Sequence, residues 1–217
     1  NIDNGNGFDA YHNLFGTEGG FVMAKGRPDY VPGGYYHFYN RGAHRVSIFR
    51  EADNYLYVLR RMKGYVREFS LAPIAYCLLP NHYHFLIRQD GEQPAGLLPQ
   101  RVFNSYSKAY NKRYEHSGTL FEGNYRVVPV EREAYLLHLC RYIHANPVKG
   151  GLVANVADWP YSNYLEWVGE REGTLVDREF VRSHFPVPGS YRDFVAEFLE
   201  RGWLKKELAA HLAVWEG

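Results

Sequence analysis

Apolar residues along this chain follow two periods. At 55, 58, 59, 62, 66 and 69 they fall on one helical face, which predicts a helix over Asp53 to Phe69. Four shorter runs, Tyr35 to Arg41, Leu71 to Leu79, His82 to Gln89 and Tyr125 to Val130, are rich in aromatic and β-branched residues and read as strands. Gly33-Gly34 punctuates the entry to the first, and Pro80-Asn81 turns the second into the third. A second helix is expected over Leu97 to Glu115, stopping before Ser117-Gly118, and a third over Glu131 to Asn146, stopped by Pro147.

The order strand, helix, strand, strand, helix, strand, helix predicts an α+β fold, the ferredoxin-like split βαβ arrangement, with an antiparallel sheet and helices packed on it. Beyond Gly150-Gly151, short helices are expected over Tyr161 to Val168, Asp177 to Phe185 and Tyr191 to Trp203, forming a C-terminal helical appendage. Residues 1–32 read as a flexible N-terminal extension, 33–150 as the catalytic domain and 151–217 as the appendage. Within the extension, Met23-Ala24-Lys25 resembles a natural start preceded by an upstream segment.

Composition narrows the class. The 217 residues suffice for one well-buried domain with additions. No apolar run reaches the ~18 residues needed to span a bilayer, residues 1–22 lack a signal peptide's regions, and Cys77 and Cys140 sit in apolar runs that suit buried thiols. These features lead us to expect a cytoplasmic protein that does not engage membranes. A net charge of +1 hides an asymmetry: residues 99–150 carry eight Lys/Arg against four acids, residues 151–200 four against nine. A phosphate-binding centre beside an acidic segment has that distribution, as does a solvated basic helix face. Charge alone leaves open whether the acidic segment covers a site or packs behind the sheet. The 19 tyrosines and 13 phenylalanines, interleaved with cations, suit stacking on unpaired bases as well as a core.

The candidate chemistry begins with His82-Tyr83-His84. Strand side chains alternate, so the two imidazoles share a face and Tyr83 takes the other. Such a pair is half of a metal site, or two hydrogen-bonded histidines. On the third helix, Tyr135, His138, Tyr142 and Asn146 form one stripe, with Tyr142 and Asn146 one turn apart. Two imidazoles and an amide suit a hard divalent cation, Mg²⁺ or Mn²⁺, with positions left for phosphate oxygens. A phenol beside a cation-bound phosphodiester is placed for transesterification. No Gly-x-x-x-x-Gly-Lys-Ser/Thr loop is present, and no nucleotide cofactor is expected.

Pro80-Asn81-His82-Tyr83-His84-Phe85-Leu86 resembles the His-hydrophobe-His motif of the single-tyrosine HUH transposases. Arg141-Tyr142-Ile143-His144-Ala145-Asn146-Pro147-Val148-Lys149 is similar to the nucleophile helix of their REP-associated tyrosine transposases. Ala75-Tyr76-Cys77-Leu78, Ser117 to Arg126 and Trp159 to Tyr164 extend the likeness, which covers about Gly34 to Tyr164. The resemblance implies that Tyr142 is the nucleophile and that His82, His84 and Asn146 are metal ligands. It also implies a substrate, single-stranded DNA hairpins of the REP type, cleaved and rejoined through a 5′-phosphotyrosine intermediate. Candidate DNA contacts are Lys25, Arg27, Arg41, Arg126 and Lys149. A monomer is expected, with a homodimer as the alternative. Two competing functions are a replication-initiator or relaxase-type HUH nuclease and a DNA-binding module without catalysis. The former commonly carries a longer histidine cluster or a second tyrosine one turn away, and Tyr135 lies two turns from Tyr142.

Overall fold

The computed structural model of the chain describes residues 28–201. Strands β1 (Tyr35–Arg41), β2 (Leu71–Leu79), β3 (His82–Gln89) and β4 (Arg126–Val130) form one antiparallel sheet in the order β2-β3-β1-β4. Helix α1 (Ala52–Glu68) links β1 to β2, and α2 (Leu97–Tyr114) links β3 to β4. This is the ferredoxin-like split βαβ topology expected from the sequence.

The alternation of each strand divides two cores. On one side Tyr36, Phe38, Tyr83, Phe85 and Ile87 pack with Val58, Met62, Val102, Phe103 and Tyr106 of α1 and α2. Tyr83 stacks on Phe103 with ring centroids 3.9 Å apart. On the other side Ala75, Cys77, Leu79 and Leu86 pack under α3 (Glu133–Lys149) through Leu136, Leu139, Cys140 and Ile143. His82 and His84 point to this second side. Register places Tyr39 opposite His84 and Arg41 opposite His82.

Helix α3 runs three residues past the expected end, with Pro147 inside it. The proline removes one helical donor, but the last turn closes without it: Gly150 N–H donates to the Asn146 carbonyl at 2.8 Å and Leu152 N–H to the Pro147 carbonyl at 2.9 Å. Helix α2 likewise ends not through Gly118 but at Glu115, which takes the left-handed conformation at φ 50°.

Residues 151–201 carry α4 (Tyr164–Trp167), α5 (Arg178–His184) and α6 (Ser190–Arg201). They cover the outer face of α3 and the β2 edge, sharing its core through Tyr164, Trp167, Phe180, Tyr191, Val195 and Phe198. Asn163 ties this segment to the sheet, since its side chain accepts from Tyr76 N–H at 2.8 Å and donates to the Ile74 carbonyl at 2.9 Å. His144 completes the joint: Nε2 donates to Asn163 Oδ1 at 2.9 Å, leaving Nδ1 to accept from the Tyr191 hydroxyl at 2.5 Å. Burial pushes the His144 pKa down to about 4, and the Asn163 bond only partly opposes it. A neutral imidazole with both nitrogens bonded therefore pins α6 to α3. No helix among the described residues is long and apolar enough to cross a membrane.

Candidate active site

The turn between β2 and β3 fixes where the site begins. Its backbone is stapled to the β1–α1 connection: Gly42 N–H donates to the Asn81 carbonyl at 2.8 Å, and Ile48 and Phe49 N–H donate to the Pro80 carbonyl at 2.7 and 2.9 Å. A Cβ on Gly42 would approach the Val46 carbonyl oxygen to 2.2 Å, so only glycine allows this close turn. His82 leaves the turn partly exposed, and His84, two residues on, is fully buried.

The structure brings together the four residues singled out in sequence. His82 and His84 rings meet edge to face with centroids 5.3 Å apart, and His84 meets Tyr142 in the same manner at 5.7 Å. Asn146 is in hydrogen-bond contact with His82 and favours its charged form. Burial nevertheless dominates and lowers the His82 pKa to about 4, with Arg41 adding to the depression, so the ring is neutral at pH 7. Asn81 Oδ1 lies 2.7 Å from His82 Nδ1, and in the tautomer that places the ring proton on Nδ1 the lone pair sits on Nε2.

Asn146 donates from Nδ2 to the Tyr142 carbonyl at 2.9 Å, one turn back on α3. That bond leaves Oδ1 as the amide's acceptor atom. No group of three His, Cys, Asp or Glu side chains among the described residues could hold a metal ion. A site here would therefore combine two imidazoles with an oxygen of another type, and Asn146, in hydrogen-bond contact with His82, carries an amide oxygen beside them. Neutral imidazole nitrogens and an amide oxygen fit a divalent cation such as Mg²⁺ or Mn²⁺, which keeps its net charge among them.

Beside these residues lies a cleft of about 480 Å³, lined by Arg45, Ser47, Asn81, His82, Asn146 and Lys149 among others. Lys149 also sets Nζ 4.9 Å from the centre of the Tyr142 ring, a cation–π contact. Tyr142 is only 1% exposed.

Of the other predicted DNA contacts, Arg41 forks onto the Glu122 carboxylate through Nε and Nη2. An exposed pair of this kind is screened by water and contributes little, so a phosphate can compete with it. Arg126 hydrogen-bonds the Tyr39 hydroxyl and opposes the upward push of burial on that phenol. Lys25 and Arg27 lie outside the described residues.

Three nearby residues escaped the sequence reading. Asn81 was visible only as a turn former and Arg45 only as one loop cation. His37 was legible by parity, because it shares a strand face with Tyr39, and the expected topology pairs β1 with β3, but the register that sets His37 against His84 comes only from the folded sheet.

Comparison with known proteins gives the family and the fold. Residues 30–146, more than half of the chain, match the family described as Transposase IS200 like. A Haemophilus influenzae protein bearing the name REP-associated tyrosine transposase is 27% identical over 158 residues, 65% of this chain and 86% of that protein. The solved structure of a REP-associated tyrosine transposase bound to a REP hairpin aligns with a TM-score of 0.58 at 20% identity, over 71% of this chain and 94% of that one. At that identity the likeness is one of fold. On the strength of the family match and the shared fold, the chain belongs to the IS200-like transposases.

Proposed function

We propose that this transposase cleaves and rejoins single-stranded DNA at REP-like hairpins through a covalent phosphotyrosine on Tyr142, with a divalent cation held by His82, His84 and Asn146. The reading rests on the meeting of His82 and His84 on the sheet face with Tyr142 and Asn146 of the overlying α3, at the edge of a cleft that also carries Arg45 and Lys149. The name of the Haemophilus influenzae relative and the hairpin in the solved structure supply the substrate class.

A bound divalent cation would polarise the scissile phosphate and stabilise charge developing on its oxygens. His82 and His84 would ligate in their neutral forms, and Asn146 would offer an oxygen without adding charge. Arg45 and Lys149 would hold the flanking phosphates. The Tyr142 oxygen attacks phosphorus, the phenol proton is lost, and the bond from phosphorus to the 3′ oxygen breaks. The leaving 3′ oxygen takes up a proton, so the products are a 5′-phosphotyrosine and a 3′-hydroxyl. Attack by another 3′-hydroxyl reverses the step and releases Tyr142, so no nucleotide cofactor is consumed.

Incubation with Mn²⁺ and a labelled single-stranded hairpin tests the reading. Wild type should form a denaturation-resistant adduct, and Tyr142→Phe none. The burial of Tyr142 favours one competing reading, a binding module that has kept the fold without the reaction. A wild type that binds cognate hairpins tightly and never forms the adduct decides for that module. An adduct that persists in Tyr142→Phe removes Tyr142 as the nucleophile.

A further inference from the structure

His37 takes no part in the reaction above, yet it is fully buried against a residue that does. It lies on β1, on the sheet face of His84 and two residues from Tyr39, the register partner of His84. His37 Nε2 and His84 Nδ1 are 3.0 Å apart, within hydrogen-bond distance, and the two rings are nearly parallel at 15°. Tyr39 stacks on His37 with centroids 5.0 Å apart and lies 6.1 Å from the His84 ring, so it packs against both.

A neutral imidazole carries one N–H, so only two arrangements satisfy this contact. His84 donates from Nδ1 to His37, or His37 donates to His84. In the second case the His84 proton resides on Nε2, and that nitrogen has no lone pair to offer. In the first, Nε2 carries the lone pair and remains available as a ligand. His82 can reach the same state by another route, with Asn81 Oδ1 accepting a hydrogen bond from its Nδ1. The two histidines are thereby oriented by different neighbours, one from the turn and one from the adjacent strand.

We infer that His37 is a positioning residue for the metal site: it accepts the Nδ1 proton of His84 and so fixes the tautomer whose Nε2 can ligate. The inference rests on the reading of His84 as a ligand and adds the group that keeps it competent. Partners of this type orient ligating histidines and typically change metal affinity by about 10–100-fold when removed.

Two measurements on the full chain test it. In metal-free protein, long-range ¹⁵N–¹H NMR of the His84 ring, assigned with His84→Gln, should show a protonated Nδ1 and an unprotonated Nε2. A protonated Nε2 overturns the inference. Secondly, Mn²⁺ affinity can be read from the electron paramagnetic resonance signal of the free ion. His37→Leu, which keeps bulk and removes the acceptor, should weaken binding by about 10–100-fold. His37→Gln restores a carbonyl acceptor and should recover most of the loss. Equal weakening in both variants, or none in His37→Leu, overturns the positioning role. Metal-free hairpin binding should be unchanged in both and reports an intact fold. A protein that passes both measurements but forms no Tyr142 adduct loses only the proposed reaction, and the His37 assignment stands.

Discussion

Asn146 is bound to Tyr142 through the backbone, its side-chain amide donating to the Tyr142 carbonyl at 2.9 Å. The bond sets the amide's direction and couples the candidate ligand to the turn carrying the candidate nucleophile. Asn146→Ala removes both the oxygen and this tie, and should lower Mn²⁺ affinity at least about tenfold. Hairpin binding in the presence of a chelator should be nearly unchanged. Unaltered Mn²⁺ titration in the variant would exclude Asn146 as a ligand.

The cleft cations should act through phosphates. Arg45 and Lys149 flank His82 and Asn146, so Arg45→Ala and Lys149→Ala should each weaken binding of every hairpin sequence alike and reduce the salt slope by about one unit. Affinities measured across a salt series give the answer. A loss confined to one hairpin sequence would instead indicate base readout.

Tyr83 separates the fold from the chemistry. Although it lies between the two histidines in sequence, it is buried on the opposite side against Phe103. Tyr83→Ala should cost about 3–5 kcal/mol in denaturant unfolding, the usual price of deleting a buried aromatic ring. Tyr83→Phe should retain most of the stability and the Mn²⁺ affinity, and a marked loss of Mn²⁺ binding in that variant would contradict the division of faces.

Stability should fall as pH drops below about 6.5. The His144 pKa is about 4 in the folded chain because of burial, against an ordinary value of 6.5, so the unfolded chain binds a proton first. The contribution is complete above the unfolded value and is lost as pH falls toward 4. A shift of that size corresponds to roughly 3 kcal/mol for one fully buried ring. Thermal melts of wild type and His144→Gln, compared from pH 7 to pH 4, should converge as the pH falls. Parallel curves would show that His144 does not drive the loss.

Most elements could be read from the chain because their signals are local. The edges of β1, β2 and β3 follow from Gly33-Gly34, Pro80-Asn81 and the dense β-formers between them, and agree with the observed strands. Pro147 misled because a missing N–H is a local fact, whereas the closing bonds from Gly150 and Leu152 depend on how the following chain folds back. Glu115 ends α2 in the left-handed conformation, which its side chain does not advertise.

The candidate site divides in the same way. Two-residue alternation set His82 and His84 on one face, and the helical period set Tyr142 and Asn146 on one stripe, because both periods are properties of the backbone. Whether that stripe lay over that face was decided by the tertiary structure, where the apolar side of α3 seats on Cys77, Leu79 and Leu86 and residues 151–201 close its outer face. The same packing brought His37 of β1 against His84 of β3, a hydrogen bond across 47 residues of sequence. The sequence by itself determined which groups were available for the chemistry. Only the folded sheet, by bringing distant strands side by side and excluding water, decided which of them meet and in which protonation state.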